Sequence, residues 1–331
     1  MLNLSELKYQ TILLTETGQQ IDISNALTGL TWEENKKELA SRITCDFFNT
    51  RQEGQEISDI TKPGCIICIL ASCGSMKQEV ARGIITDWTT HHANTASAVS
   101  LTCYDELYNL QKSQDNIYYS AGMGTQAVIM DILQKWEIPL AEYKGPNVTH
   151  AKLVYKTKYL SDILLEILDD AVKKGAGKSI IRAVSGKISI LPLGSNTPVY
   201  HLGEENTSAV KAKYSTSNMI TRVKVLAKED DDGKSKVEAV LYGKTQYGIR
   251  QKIYVRSSDD SMDAAQSAAQ EILNEEGDIE KTLTIEGPDV PFIHKGDLVH
   301  IVVGALNGYF YVNSIQHNAA NSKMSMDLEA K

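Results

Sequence analysis

Pro291-Phe292-Ile293-His294-Lys295-Gly296-Asp297-Leu298-Val299 is the stretch from which the fold is read. Lys295-Gly296-Asp297 is turn chemistry: glycine tolerates positive φ, and a short Asp side chain bonds nearby backbone. The run that follows, Leu298-Val299-His300-Ile301-Val302-Val303, is rich in β-branched residues and reads as a strand. Gly308-Tyr309-Phe310-Tyr311-Val312 reads as the next. Met324-Ser325-Met326-Asp327-Leu328 alternates apolar and polar residues, the period of a half-buried strand. Toward the N-terminus, a helix is expected over 261–274. Ser261 can cap it, and Ala264, Ala265, Ala268, Ala269, Ile272 and Leu273 give it a small-residue face. Strands are expected at 199–201, 208–214, 220–227, 237–243, 250–255 and 282–286. Residues 196–331 therefore form a β region with one inserted helix.

Residues 1–110 also read as β. Ile43, Cys45 and Phe47 alternate with Arg42, Thr44 and Asp46. Further strands are expected at 8–15, 21–23, 27–32, 65–71, 79–88 and 98–104, with a short helix at 57–60 or 32–40. Short strands at about ten-residue spacing suggest a barrel or sandwich. Residues 111–195 change character. Ala127, Val128, Met130, Ile132 and Leu133 sit at helical spacing behind Thr125, a candidate N-cap. Ile163, Leu164, Ile167, Leu168 and Ala171 form a second helical stripe, with Lys173 and Lys174 at its C-terminal end and Gly175 and Gly177 as stops. A hairpin over 179–191 completes a small α/β module.

The chain has 331 residues, a net charge of −8 and 42% hydrophobic residues, ordinary for a globular protein. An acidic balance argues against sequence-specific nucleic-acid binding. No stretch approaches the roughly 18–20 apolar residues needed to cross a bilayer, and Met1–Glu6 lacks the basic and apolar regions of a signal peptide. Neither membrane insertion nor signal-directed export is expected.

Patterns that could carry chemistry are few and incomplete. Five cysteines, Cys45, Cys65, Cys68, Cys73 and Cys103, are an odd number in a long chain. Cys65-Ile66-Ile67-Cys68 has CxxC spacing but no second ligand pair, and positions three apart on a strand face opposite sides; buried free thiols are expected. Gly122-Met123-Gly124-Thr125 and Gly175-Ala176-Gly177-Lys178-Ser179 touch on phosphate-loop patterns, but the second ends a helix instead of opening one. Glu229-Asp230-Asp231-Asp232 lacks the spaced ligands of a calcium loop and reads as a solvated hairpin tip. His91-His92 reads as a loop pair, and His150, His201, His294, His300 and His317 are scattered. Asp169-Asp170 and Asp259-Asp260 suit helix solubility and dipole complementarity. No catalytic, cofactor-binding or metal-binding residue is assigned.

The order Tyr247-Gly248, Ala-rich helix, strand, Gly296-Asp297 turn, and the strand opened by Gly308-Tyr309 resembles the second half of the baseplate hub proteins of contractile phage tails and phage-tail-like particles, the YqbQ-like and late-control-protein-D-like group. The resemblance extends loosely across the rest of the chain. It makes Tyr247, Gly248, Gly296, Asp297, Gly308 and Tyr309 structural motif residues. It implies an α+β, mainly β fold: two tail-tube-like β-barrel domains, 1–110 and 196–331, joined by the α/β module 111–195. It also implies a homotrimer whose six barrels form a pseudo-hexameric ring, matching a six-fold tail tube on one side and a three-fold spike on the other. The implied partners are the tube or tube-initiator protein and the central spike, with wedge or tape-measure proteins nearby. The expected location is the bacterial cytoplasm during assembly, then the virion or extracellular particle. A β-rich carbohydrate-binding module and a hub-associated cell-wall hydrolase are the alternatives. The first needs clustered exposed aromatics and the second an active-site constellation.

Overall fold

The computed structural model describes residues 4–36, 38–52, 54–93, 96–228, 233–256, 261–304 and 306–331. The acidic runs at Glu229–Asp232 and Asp259-Asp260 lie outside the described residues. The chain divides into two compact units, 1–210 with 284–331, and 211–283.

In the first unit the N-terminal strands are β1 (Lys8–Leu14), β2 (Gln20–Asp22), β3 (Leu27–Glu34), β4 (Arg42–Phe48), the two-residue pair β5 (Arg51–Gln52) and β6 (Gln55–Glu56), β7 (Ile66–Cys73), β8 (Met76–Ala93) and β9 (Ala96–Tyr104), with helix α1 at Ile57–Ile60. The alternation expected for β4 is observed: Ile43, Cys45 and Phe47 are buried. They meet Leu13, Leu30, Trp32, Ile67, Ile69, Ile85, Val99 and Leu101 in one core. A strand with one buried face has its register fixed, because a one-residue slip would turn every apolar side chain outward. Of the two places expected for a short helix, 57–60 holds it, and none of the described residues in 32–40 is helical, since β3 runs to Glu34. His91 and His92 lie inside β8, opposite Ala98 and Ser97, and not in a loop.

The central module holds α2 (Leu107–Lys112), β10 (Gln114–Tyr119), α3 (Thr125–Lys135), β11 (Leu140–Tyr143), β12 (Leu153–Tyr159), α4 (Leu160–Lys173), β13 (Ser179–Val184) and β14 (Lys187–Pro192). The predicted stripe of α4 is its buried face, packed with Val128, Ile129, Ile132 and Leu133 of α3 and Ile181, Ile188 and Ile190 of the sheet. Gly175, at φ +91°, follows the helix; its N–H donates to Val172 O and that of Ala176 to Ala171 O, so the glycines terminate a helix as expected.

After β15 (Tyr200–Gly203) and β16 (Ala209–Ser215), the second unit contains β17 (Arg222–Leu226), β18 (Val237–Tyr242), β19 (Gln251–Val255) and α5 (Met262–Glu276). Its strands are ordered β18-β17-β19. Ala265, Ala269 and Leu273 of α5, spaced four apart, pack on Val223 and Val225. Ser261 Oγ accepts from Ala264 N at 3.1 Å, the predicted cap. Ser261→Ala is expected to destabilise this small unit by about 1 kcal/mol, read as a lower denaturant midpoint at unchanged slope.

The chain returns through β20 (Glu280–Pro288), β21 (Leu298–Val303), β22 (Leu306–Asn318) and β23 (Lys323–Ala330). The large sheet is ordered β16-β20-β23-β22-β3-β4-β9-β8-β7-β1-β2, with β21 pairing β22 and β15 pairing β21. The fold is thus α+β and dominated by sheet. Among the described residues the pairings follow an open order, and no closed barrel is found. The reason is visible at β3: its free edge is taken by β22, in register Ile315↔Glu34, Gln316↔Glu33, His317↔Trp32 and Asn318↔Thr31. The two β regions expected as separate barrels share one continuous sheet.

Candidate assembly site at the junction of the β regions

The β3–β22 seam carries buried polar side chains. Trp32, on β3, stacks on His317 with ring centroids 4.6 Å apart and planes at 14°. His317 Nδ1 lies 2.6 Å from Asp289 Oδ1, and Nε2 lies 3.1 Å from Ile293 O. The His317 and Asp289 side chains are fully buried. Tyr9, from β1, donates its hydroxyl to the other Asp289 oxygen and meets Trp32 edge-on at 5.6 Å. Burial, reinforced by Asp289, raises the Tyr9 phenol far above its ordinary range. His317, Asp289 and Tyr9 are held by these partners, since each unmade bond would cost its desolvation, whereas the buried Trp32 Nε1–H has no partner among the described residues.

A second network lies at the end of β3. Glu34 is 2.7 Å from His294 Nδ1 and accepts from Lys295 N at 3.1 Å. Burial alone would raise the Glu34 carboxyl, but His294, Arg182 and Lys295 outweigh it and hold it at about 2. Lys295 Nζ donates to the carbonyls of Asn35 and Glu38 at 3.1 and 2.7 Å. Burial holds Lys295 below the usual lysine range. Arg182, on β13 of the central module, donates to Lys295 O and Asp297 Oδ1, each at 2.7 Å. His294 N donates to Asp297 Oδ2 at 2.9 Å. The Lys295-Gly296-Asp297 turn is therefore the point where all three segments of the first unit are tied.

Gly296 is needed there. Its φ is +85°, and a Cβ would approach Ile180 Cδ1 to 2.2 Å. Its N–H donates to Val312 O at 2.7 Å, and Gly194 N donates to its carbonyl at 2.8 Å.

The adjoining cavity, bordered by Glu34, Asp105, Arg182 and Lys295, measures about 40 Å³. That is room for a water molecule or two, against several hundred Å³ for a small-molecule site. Burial pushes the nearby Asp105 carboxyl up to about 7, although Ser41 and the Leu107 N–H donate to it.

The motif residues are not gathered in one place. Gly296 and Asp297 form the junction turn. Gly308 and Tyr309 lie on β22, Tyr309 half exposed and stacked on His300 at 4.6 Å. Tyr247 and Gly248 belong to the second unit; Gly248, at φ +95°, accepts from Thr221 Oγ1 at 2.7 Å through its carbonyl.

One constellation went unread in the sequence. Thr125 Oγ1 lies 2.8 Å from His150 Nε2, and His150 Nδ1 lies 2.5 Å from Asp170 Oδ2, the order of a hydroxyl–imidazole–carboxylate relay. Thr125 is not the N-cap, which is Gly124; it is the first residue of α3. It is fully buried, and its hydroxyl also bonds Val148 N and O at 3.2 and 3.1 Å, which leaves no face for a substrate carbonyl. The trio clamps the start of α3 to α4. Burial would raise Asp170, but Lys174 and His150 hold it below the usual carboxylate range.

All five cysteines are free and buried, and burial pushes the Cys68 thiol up to about 11. Among the described residues, no group of three or more His, Cys, Asp or Glu is placed to hold a metal ion. No helix among them is long and apolar enough to cross a membrane.

Comparison with known proteins returns one consistent class. The YqbQ-like family model matches residues 30–331. The 43 kDa tail protein of prophage MuSo2 from Shewanella oneidensis superposes with a TM-score of 0.68 at 12% identity, covering 97% of this chain and 98% of that one. A tail protein from Neisseria meningitidis MC58 gives 0.65 at 16% identity, covering 97% and 96%. The E. coli c3393 protein, a component of the type VI secretion system similar in structure to T4 tail proteins, gives 0.53 at 11% identity, covering 96% and 76%. No curated protein matches the chain. The match over 30–331 shows the family: the chain belongs to the YqbQ-like family.

Proposed function

We propose that the chain is a structural baseplate hub of a contractile injection system, a phage tail or tail-like bacteriocin. The observation that carries the reading is the β3–β22 seam. Two β regions from opposite ends of the chain share one sheet, and the His317–Asp289–Tyr9 and Glu34–His294–Lys295 networks, centred on the buried His317, Asp289 and Glu34, lock it. A subunit that transmits load between a tube and a spike needs its two β regions rigidly coupled, and buried, satisfied polar networks specify such a rigid arrangement. Membership in the YqbQ-like family and a fold shared with tail proteins support the same reading.

In its finer form, the tube-like domains span 1–110 and 196–331, the latter with the inserted helix, and the α/β module spans 111–195. Three chains form a pseudo-hexameric ring by heterologous contacts whose rotation closes. The ring receives the tail tube on one side and the spike on the other, with wedge or tape-measure proteins nearby. Assembly takes place in the bacterial cytoplasm, and the product is the virion or an extracellular particle. The motif residues Tyr247, Gly248, Gly296, Asp297, Gly308 and Tyr309 act as folding elements of this scaffold.

The test is solution mass by light scattering behind a sizing column, with the chain alone and with a candidate spike protein. The expected mass is three subunits, about 110 kDa from 3 × 36.5 kDa, alone or once spike is added. A chain that stays at one subunit and ignores the spike contradicts the reading.

A further inference from the structure

We propose that His201 and His300 form a surface chelate for a divalent transition-metal cation of borderline softness, of the Zn²⁺, Ni²⁺ and Cu²⁺ class. The two residues are direct partners in the parallel ladder between β15 and β21. Leu202, Val299 and Ile301 point into the core, so strand alternation throws both histidines onto the opposite face. His201 is exposed and His300 half-buried.

The imidazoles are already arranged as a bite. Their Nδ1 atoms lie 3.1 Å apart, with ring centroids at 5.1 Å and planes tilted by 41°. For metal–nitrogen bonds of about 2.0–2.1 Å, a 3.1 Å separation subtends about 95–102° at the ion. That angle falls between the cis angle of a square-planar site and the tetrahedral angle, which copper, nickel and zinc accept. Tyr309 restrains one arm. It pairs with His300 across β21 and β22 and stacks on the ring at 4.6 Å and 26°. A second-layer contact that fixes ring orientation lowers the ordering cost of ligation.

A hydrogen bond between the rings is the competing use of the same geometry. At an exposed site it exchanges with bonds to water and contributes little. Two protein donors leave the remaining coordination positions to water or to a donor from a neighbouring molecule. The chelate is thus smaller than the groups of three or more ligands, none of which occurs among the described residues.

The experiment is calorimetric titration of the full chain with ZnCl₂ and with CuCl₂, together with electron paramagnetic resonance of the copper form. His201→Gln, His300→Gln and the double variant are compared with the parent. The expected result is one equivalent per chain, Cu²⁺ tighter than Zn²⁺, and coupling to two imidazole nitrogens. Each single variant is expected to lose affinity at least tenfold and retain one coupled nitrogen. His91→Gln is expected to bind as the parent does. Thermal melting of each variant shows that the sheet is intact. Absence of binding by the folded parent, or unchanged binding in the double variant, overturns the proposal.

Discussion

His317→Ala is expected to destabilise the protein by about 3–5 kcal/mol, the cost of breaking a fully buried polar pair by removing one partner. The Asp289 carboxyl would keep the Tyr9 hydroxyl but lose its contact at 2.6 Å inside a site closed to water. Ile293 O would lose a donor, and Trp32 its stacked neighbour. Tyr9→Phe removes one hydrogen bond and no ring, and is expected to cost about 1–2 kcal/mol. Denaturant unfolding of the three proteins checks the order. If His317→Ala and Tyr9→Phe cost the same, the network does not hold the seam.

The second large effect depends on pH. Glu34 titrates at about 2 in the folded chain, against an ordinary value of 4.5. A carboxyl depressed by folding adds stability that is complete above its unfolded pKa and lost as pH falls through the folded one. The difference is of the order of 3 kcal/mol, lost between about pH 4.5 and pH 2. Exposed ion pairs would be discounted for screening, but Glu34 is only 8% exposed. Glu34→Gln is therefore expected to be less stable than the parent by about that amount at pH 7, with the gap narrowing toward pH 2–3. Urea midpoints at the two pH values measure it. A gap equal at both would mean that the Glu34 charge plays no part in the junction.

Much of the local structure was legible in the sequence. The alternation at Ile43, Cys45 and Phe47, the stripe from Ile163 to Ala171, and the Ser261 cap each have a period or a chemistry that works over a few residues. What stayed hidden depends on contacts distant in the chain. The β3–β22 pairing joins Trp32 to His317, and nothing near either residue announces it. His317 read as a scattered histidine because its partners, Asp289 and Ile293, lie on another segment. Thr125 looked like a cap because caps are local, whereas its hydroxyl is taken by Val148 and His150. Strands β10 and β12 were missed because few of their residues are buried, so the period-two signal is weak. The turn at Gly296 and Asp297 was read correctly as a turn, but its ties to Arg182 and Glu34 needed coordinates.

Electron microscopy of the purified chain with a candidate spike protein tests the proposed ring between tube and spike. Averages with three-fold symmetry and six lobes around the spike axis are expected. Isolated single subunits beside unoccupied spikes would contradict the ring.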